Sequence, residues 1–86
     1  MKTVLLDGDD GREEILRRLA AHLGFPPVGN LDALWDRLRT DARGPFEIVW
    51  RNHARARDAL GEEFARLDEI FRRLVAERRD VRVTFV

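Results

Sequence analysis

No cysteine occurs among the 86 residues, which excludes disulfides, thiolate zinc sites and a cysteine nucleophile and leaves no mark of an oxidising compartment. Serine and tyrosine are missing as well, and only Thr3, Thr40 and Thr84 carry an aliphatic hydroxyl, so no nucleophilic triad can be assembled. Lys2 is the single lysine and the glycines are scattered, so there is no glycine-rich phosphate loop followed by lysine. The two histidines, His22 and His53, sit in polar helical surroundings without a carboxylate or second histidine at ligand spacing. They read as ordinary helix residues and neither as metal ligands nor as catalysts. The apolar run near the N-terminus stops at Asp7, too short for a signal-peptide core or a bilayer span. Neither sign of charge is in excess, with 16 basic against 16 acidic side chains, so nothing global steers the chain toward nucleic acid or anionic lipid. The default expectation is a cytoplasmic protein.

What is present is the composition of a folded domain: 44% apolar and 37% charged residues with no low-complexity tract. The length suits one domain, 1–86, burying roughly 60–65% of the surface its unfolded chain exposes. Thr3 to Leu6, closed by Asp7-Gly8, reads as a strand buried on both faces. Asp10 and Glu13 have the spacing of a capping box. Ile15, Leu16, Leu19 and Leu23 then repeat at helical spacing up to Gly24, placed as a C′ residue before Pro26 and Pro27. Asn30 is placed to cap a second helix whose buried stripe is Leu31, Leu34, Trp35 and Leu38. Phe46 to Trp50 reads as a second strand. Asn52 to Leu60 reads as a polar helix, divided by Gly61 from a stronger one bearing Phe64, Leu67, Ile70, Phe71, Leu74 and Val75. Val81 to Val86 closes the chain as a third strand. Strands separated by helices predict an α/β fold, a small three-stranded parallel sheet with about four packing helices in two or three layers.

Two clusters of charge invite a functional reading. DGDDGR, Asp7 to Arg12, superficially follows a calcium loop, but Gly11, Arg12 and Arg18 occupy positions that such a loop gives to ligands or glycine. Arg51, Arg55, Arg57, Arg72, Arg73, Arg78, Arg79 and Arg82 could form a phosphate-binding face. Glu62, Glu63, Asp68, Glu69, Glu77 and Asp80 are interleaved with them, which favours a solvated, salt-bridged surface.

In GNLDALWDRL, Gly29 to Leu38, two aspartates stand one helical turn apart beside a tryptophan. Like charges at that spacing cost an isolated helix roughly 0.2–0.5 kcal/mol. Helix physics accounts for them in part: Asp32 in the first turn is favoured by the macrodipole, and Asp36 can pair with Arg37 or Arg39. The segment Asn30 to Asp36 resembles the signature helix of the barstar family of intracellular ribonuclease inhibitors. The similarity continues through Leu38, Pro45 and Trp50 to Phe71 and the terminal strand. The resemblance implies an immunity or antitoxin protein, bacterial in kind and not an enzyme, whose Asp32 and Asp36 enter a ribonuclease active site. Asp36 would stand in for substrate phosphate, with Asn30 and Leu31 packed beside the pair. It also implies partner contacts at Gly29, Trp35, Arg39, Thr40 and Arg73, and one partner, barnase or another toxin ribonuclease, bound one-to-one by a free monomer. No cofactor, metal, membrane or nucleic acid is implied. Departures from the family pattern accompany the matches. The loop Pro26 to Asn30 is shorter and carries Pro27 and Val28 in place of contact tyrosines. Thr40 to Arg43 replaces a Gly-Trp and an acidic residue, and Arg73 replaces a glutamate. The alternative is a protein- or RNA-interaction module using the arginine-bearing helices, with Asp32 and Asp36 structural.

Overall fold

In a computed structural model that describes residues Met1–Val86, three strands form one parallel sheet in the order β1 (Lys2–Asp7), β2 (Phe46–Arg51), β3 (Val81–Phe85). The register sets Val4 beside Ile48 and Ile48 beside Val83, with Leu6 beside Trp50 and Trp50 beside Phe85. Each crossover runs through two helices. These are α1 (Arg12–Leu23) and α2 (Leu31–Thr40) between the first two strands, and α3 (His53–Leu60) and α4 (Glu62–Glu77) between the last two.

The sheet is covered on one face only. Val4, Leu6, Phe46, Ile48, Trp50 and Val81 are buried beneath the helices, while Thr3, Leu5 and Arg82 on the opposite face are open to water. The expectation that β1 is buried on both faces is therefore corrected: Leu5 is 44% exposed. Parallel sheets ordinarily have helices on both sides. Here all four helices serve one side, and the layout has two layers. One cluster of 20 buried residues forms the core. Trp50 lies at its centre, fully buried, with ring centroids 4.9 Å from Phe64 and 5.8 Å from Phe71.

Local signals explain most element ends. Gly24 takes the left-handed conformation at φ 78° and donates its N–H to Ala20 O, closing α1 as a glycine does without steric cost. The anticipated capping box at Asp10 is not formed. Gly11 is the N-cap of α1 and makes no side-chain cap bond, whereas the Asp10 carboxylate accepts from Asp7 N at 2.8 Å. A tight turn needed that acceptor more than the helix did. Gly8 is buried in the same turn, where a Cβ would stand 2.4 Å from Asn52 O. Only glycine lets the β1–α1 turn pack this closely on the β2–α3 turn. Two ion pairs, Asp7 with Arg51 at 3.5 Å and Asp9 with Arg55 at 2.7 Å, tie the same turns together. The acidic DGDD segment is thus neutralised by arginine. On α4 the stripe is Phe64, Leu67, Phe71 and Leu74, with Ile70 half-buried, and Val75, assigned to that stripe from spacing, is 42% exposed.

Candidate functional site

Asn30 fixes the start of α2: its side-chain oxygen accepts from Ala33 N at 2.7 Å, satisfying one of the helix's unpaired donors. The Arg12 guanidinium donates to Gly29 O at 2.9 Å and pairs with Glu63 at 3.3 Å, holding the preceding loop between α1 and α4. Leu34 and Leu38 are fully buried and anchor the helix in the core. Leu31 and Trp35, expected in the same stripe, are only half-buried, because α4 covers that flank incompletely. The flank is therefore partly open to solvent.

Asp32 and Asp36 both point to solvent. Asp36 lies 3.6 Å from Arg39, a loose pair between exposed groups that contributes little to stability. Asp32 makes no ion pair and lines two adjoining clefts, one with Leu31, Arg66, Glu69, Ile70 and Arg73 and the other with Arg12, Asn30, Glu63 and Arg66. The Trp35 ring carries two guanidinium groups within cation–π range, Arg73 at 4.6 Å and Arg39 at 5.9 Å from its centroid. At the end of the helix Thr40 donates its hydroxyl to Asp36 O at 2.7 Å. Arg37 hydrogen-bonds Asp41 and thereby holds that carboxyl below its ordinary range.

The structure brings Leu31, Asp32, Trp35, Asp36, Arg39 and Arg73 onto one flank of α2 and α4, with Gly29 and Asn30 at its start and Thr40 at its far end. The face mixes both signs, with Asp32 unpaired and Asp36 only loosely paired among arginines. No three acidic or histidine side chains converge on it as metal ligands.

Sequence reasoning missed the α4 wall. Arg66, Glu69 and Ile70 line the cleft that holds Asp32. Their spacing with Arg73 along one helical face was legible, but the packing of α4 against α2 that gives the row meaning was not. It also missed Arg78, grouped with the candidate phosphate binders. The Arg78 guanidinium donates to Leu38 O at 2.8 Å and Ala42 O at 2.7 Å and grips Asp80 through two nitrogens at 3.0 and 2.7 Å. It fastens the end of α2.

A family model described as Barstar (barnase inhibitor) matches residues 1–86, the whole chain. No curated protein matches it. No helix is long and apolar enough to cross a membrane.

Proposed function

Because this chain belongs to the barstar family, we propose that it is an inhibitor that binds a ribonuclease and occludes the active site with the outer flank of α2. A ribonuclease must gather cations to hold phosphate. A helix that presents carboxylates in a fixed geometry satisfies those cations through charge-assisted hydrogen bonds at little ordering cost. The observation that carries the reading is the posture of α2: capped by Asn30, anchored by buried Leu34 and Leu38, and displaying Asp32 and Asp36 to solvent beside a half-buried Trp35. In this reading Asp36 takes the place of substrate phosphate, Asp32 supports it, and Trp35 with Arg39 and Arg73 forms the adjoining rim. The partner is barnase or another toxin ribonuclease, bound one-to-one in the cytoplasm of a bacterium.

The alternative, an arginine-bearing interaction module, receives less support. Arg51, Arg55, Arg72 and Arg78 are each paired with an aspartate of the same chain, which lowers the charge available to a phosphate backbone.

The test compares Asp36→Ala with the exposed control Asp58→Ala in urea unfolding and in inhibition of RNA cleavage by barnase and a panel of toxin ribonucleases. Asp36 is 67% exposed, and its replacement is expected to change stability by no more than about 0.5 kcal/mol. Inhibition is expected to weaken by about 2–5 kcal/mol, a range to which barstar complexes themselves contributed, because cations buried in the complex lose their partner. Equal inhibition by both variants would sink the active-site reading.

A further inference from the structure

The outer edge of β3 has no strand beside it. Phe46 N donates to Asp80 O at 3.1 Å and Val86 N to Trp50 O at 3.0 Å, so the even-numbered residues of this strand face β2. In a parallel ladder the lateral direction of N–H and C=O alternates along the strand. The backbone groups of Val81, Val83 and Phe85 therefore face the free edge. The opposite edge of the sheet is partly closed, since Arg18 donates to Leu5 O at 3.2 Å. No side chain hydrogen-bonds the outward groups of β3, and its one charged residue, Arg82, is exposed on the water-facing side of the sheet.

Beside that edge runs an apolar groove. Phe71, Val75, Val83 and Phe85 line a hollow of about 340 Å³ with Arg72 at its lip. Through Phe85 and Arg72 this hollow continues into a cleft of about 500 Å³ that adds Phe64 and Arg57. Val75, on the groove wall, is 42% exposed. The lip is cationic: Arg72 shares its charge with Asp68 at 3.0 Å, whereas Arg57 has no ion pair.

We propose that the free edge of β3 and this groove form a second docking site, which takes an extended segment of another protein as a fourth strand. That segment is apolar at alternate positions and carries a carboxylate where it passes Arg57 and Arg72. Main-chain bonds from Val81, Val83 and Phe85 supply affinity, and the groove selects the inward side chains, as in strand addition generally. Charge complementarity selects the occupant. A second copy pairing antiparallel through β3 would bring no free carboxylate to that lip, since the strand has no acidic residue and Asp80 beside it is held by Arg78.

The experiment uses labelled synthetic octapeptides of alternating valine and threonine, with aspartate, threonine or lysine pairs at either end. Binding is followed by fluorescence anisotropy and by backbone amide shifts. The aspartate-ended peptide is expected to bind about tenfold more tightly than the lysine-ended one, with shifts at Val81, Val83 and Phe85. Arg57→Glu is expected to abolish that preference. Val83→Pro removes an N–H that faces the free edge and not the β2 ladder, a position where proline is tolerated, and is expected to weaken binding at least tenfold. If Val83→Pro fails to fold, the amide shifts of the unaltered chain decide. Absence of binding by every peptide, indifference to end charge, shifts confined to other regions, or concentration-dependent self-association that protects the β3 amides would each overturn the proposal.

Discussion

Replacing Arg78 with alanine is expected to be among the most destabilising changes available outside the apolar core. The side chain is only 17% exposed, and its guanidinium lies 5.3 Å from the Phe46 ring centroid. Its two bonds to the carbonyls of Leu38 and Ala42 reach oxygens at the end of α2, where intrahelical donors run out. Hydrogen bonds from a charged donor contribute about 1.5–3 kcal/mol each. The lower part of that range applies because water can reach the vacated carbonyls. The Asp80 arm adds little, being open to solvent. About 3–4 kcal/mol should therefore be lost, which for a domain of this size is a fall in Tm of roughly 12–32 °C. Arg78→Lys keeps the charge but not the planar fork that serves both carbonyls and Asp80 at once, and should recover less than half of the loss. Urea unfolding followed by far-UV circular dichroism and by tryptophan fluorescence provides two probes of the same transition. If Arg78→Ala unfolds within about 0.5 kcal/mol of the unaltered chain, the guanidinium is not what holds α2 to the start of β3.

Gly8→Ala forces a Cβ into Asn52 O and Asn52 Cβ, an overpacking expected to cost about 1–3 kcal/mol in urea unfolding. Asn30→Ala removes the acceptor for Ala33 N and should cost about 1 kcal/mol, with faster amide exchange in the first turn of α2 as the second readout. Acid should destabilise the fold in a defined window. Hydrogen bonds from Arg17 and then Arg18 lower the Glu14 carboxyl from 4.5 to about 2. Asp7, Asp41 and Asp80 are also lowered, chiefly by hydrogen bonds from the Asp9 backbone, Arg37 and Arg78 respectively. Each such group is more acidic folded than unfolded. Its contribution is complete above the unfolded value and disappears as pH falls through the folded one. Stability should be level above about pH 5 and decline between about pH 4.5 and pH 2. Glu14→Gln should reduce that slope in acid-dependent urea titrations.

Elements with strong local chemistry were legible in the sequence. Asn30, Gly24 and Gly61 punctuate the helices at the places their side chains or glycine freedom predict. The choice between two and three layers stayed open in the sequence, although the signal for a one-sided sheet was present. In Phe46–Arg51 and Val81–Phe85 the inward residues Phe46, Ile48, Trp50, Val81, Val83 and Phe85 alternate with Glu47, Val49, Arg82 and Thr84. The unbroken Val4-Leu5-Leu6 run obscured the same period in β1. At the candidate site the α2 residues were legible because they share one helix. The contact of Arg73 with Trp35 and the grip of Arg78 on Leu38 O join residues from distant segments, and no local pattern encodes them.

Those distant contacts bear on the proposed function, because they hold α2 before any partner arrives. At its N-terminal end the helix is capped by Asn30, and the preceding Gly29 carbonyl is held by Arg12. At its C-terminal end Arg78 holds the Leu38 and Ala42 carbonyls, and between the ends Leu34 and Leu38 are sealed in the core. A helix fixed at both ends and along its inner face loses little conformational freedom on binding, so the energy of its carboxylates can appear as affinity instead of offsetting an ordering cost. The same reasoning separates two kinds of residue at this site. Asp32 and Asp36 would act on the partner directly, and their loss should leave the free protein unchanged. Arg12 and Arg78 touch no partner in this reading, and their loss should weaken inhibition only to the extent that α2 loosens, which amide exchange of the free protein would register independently.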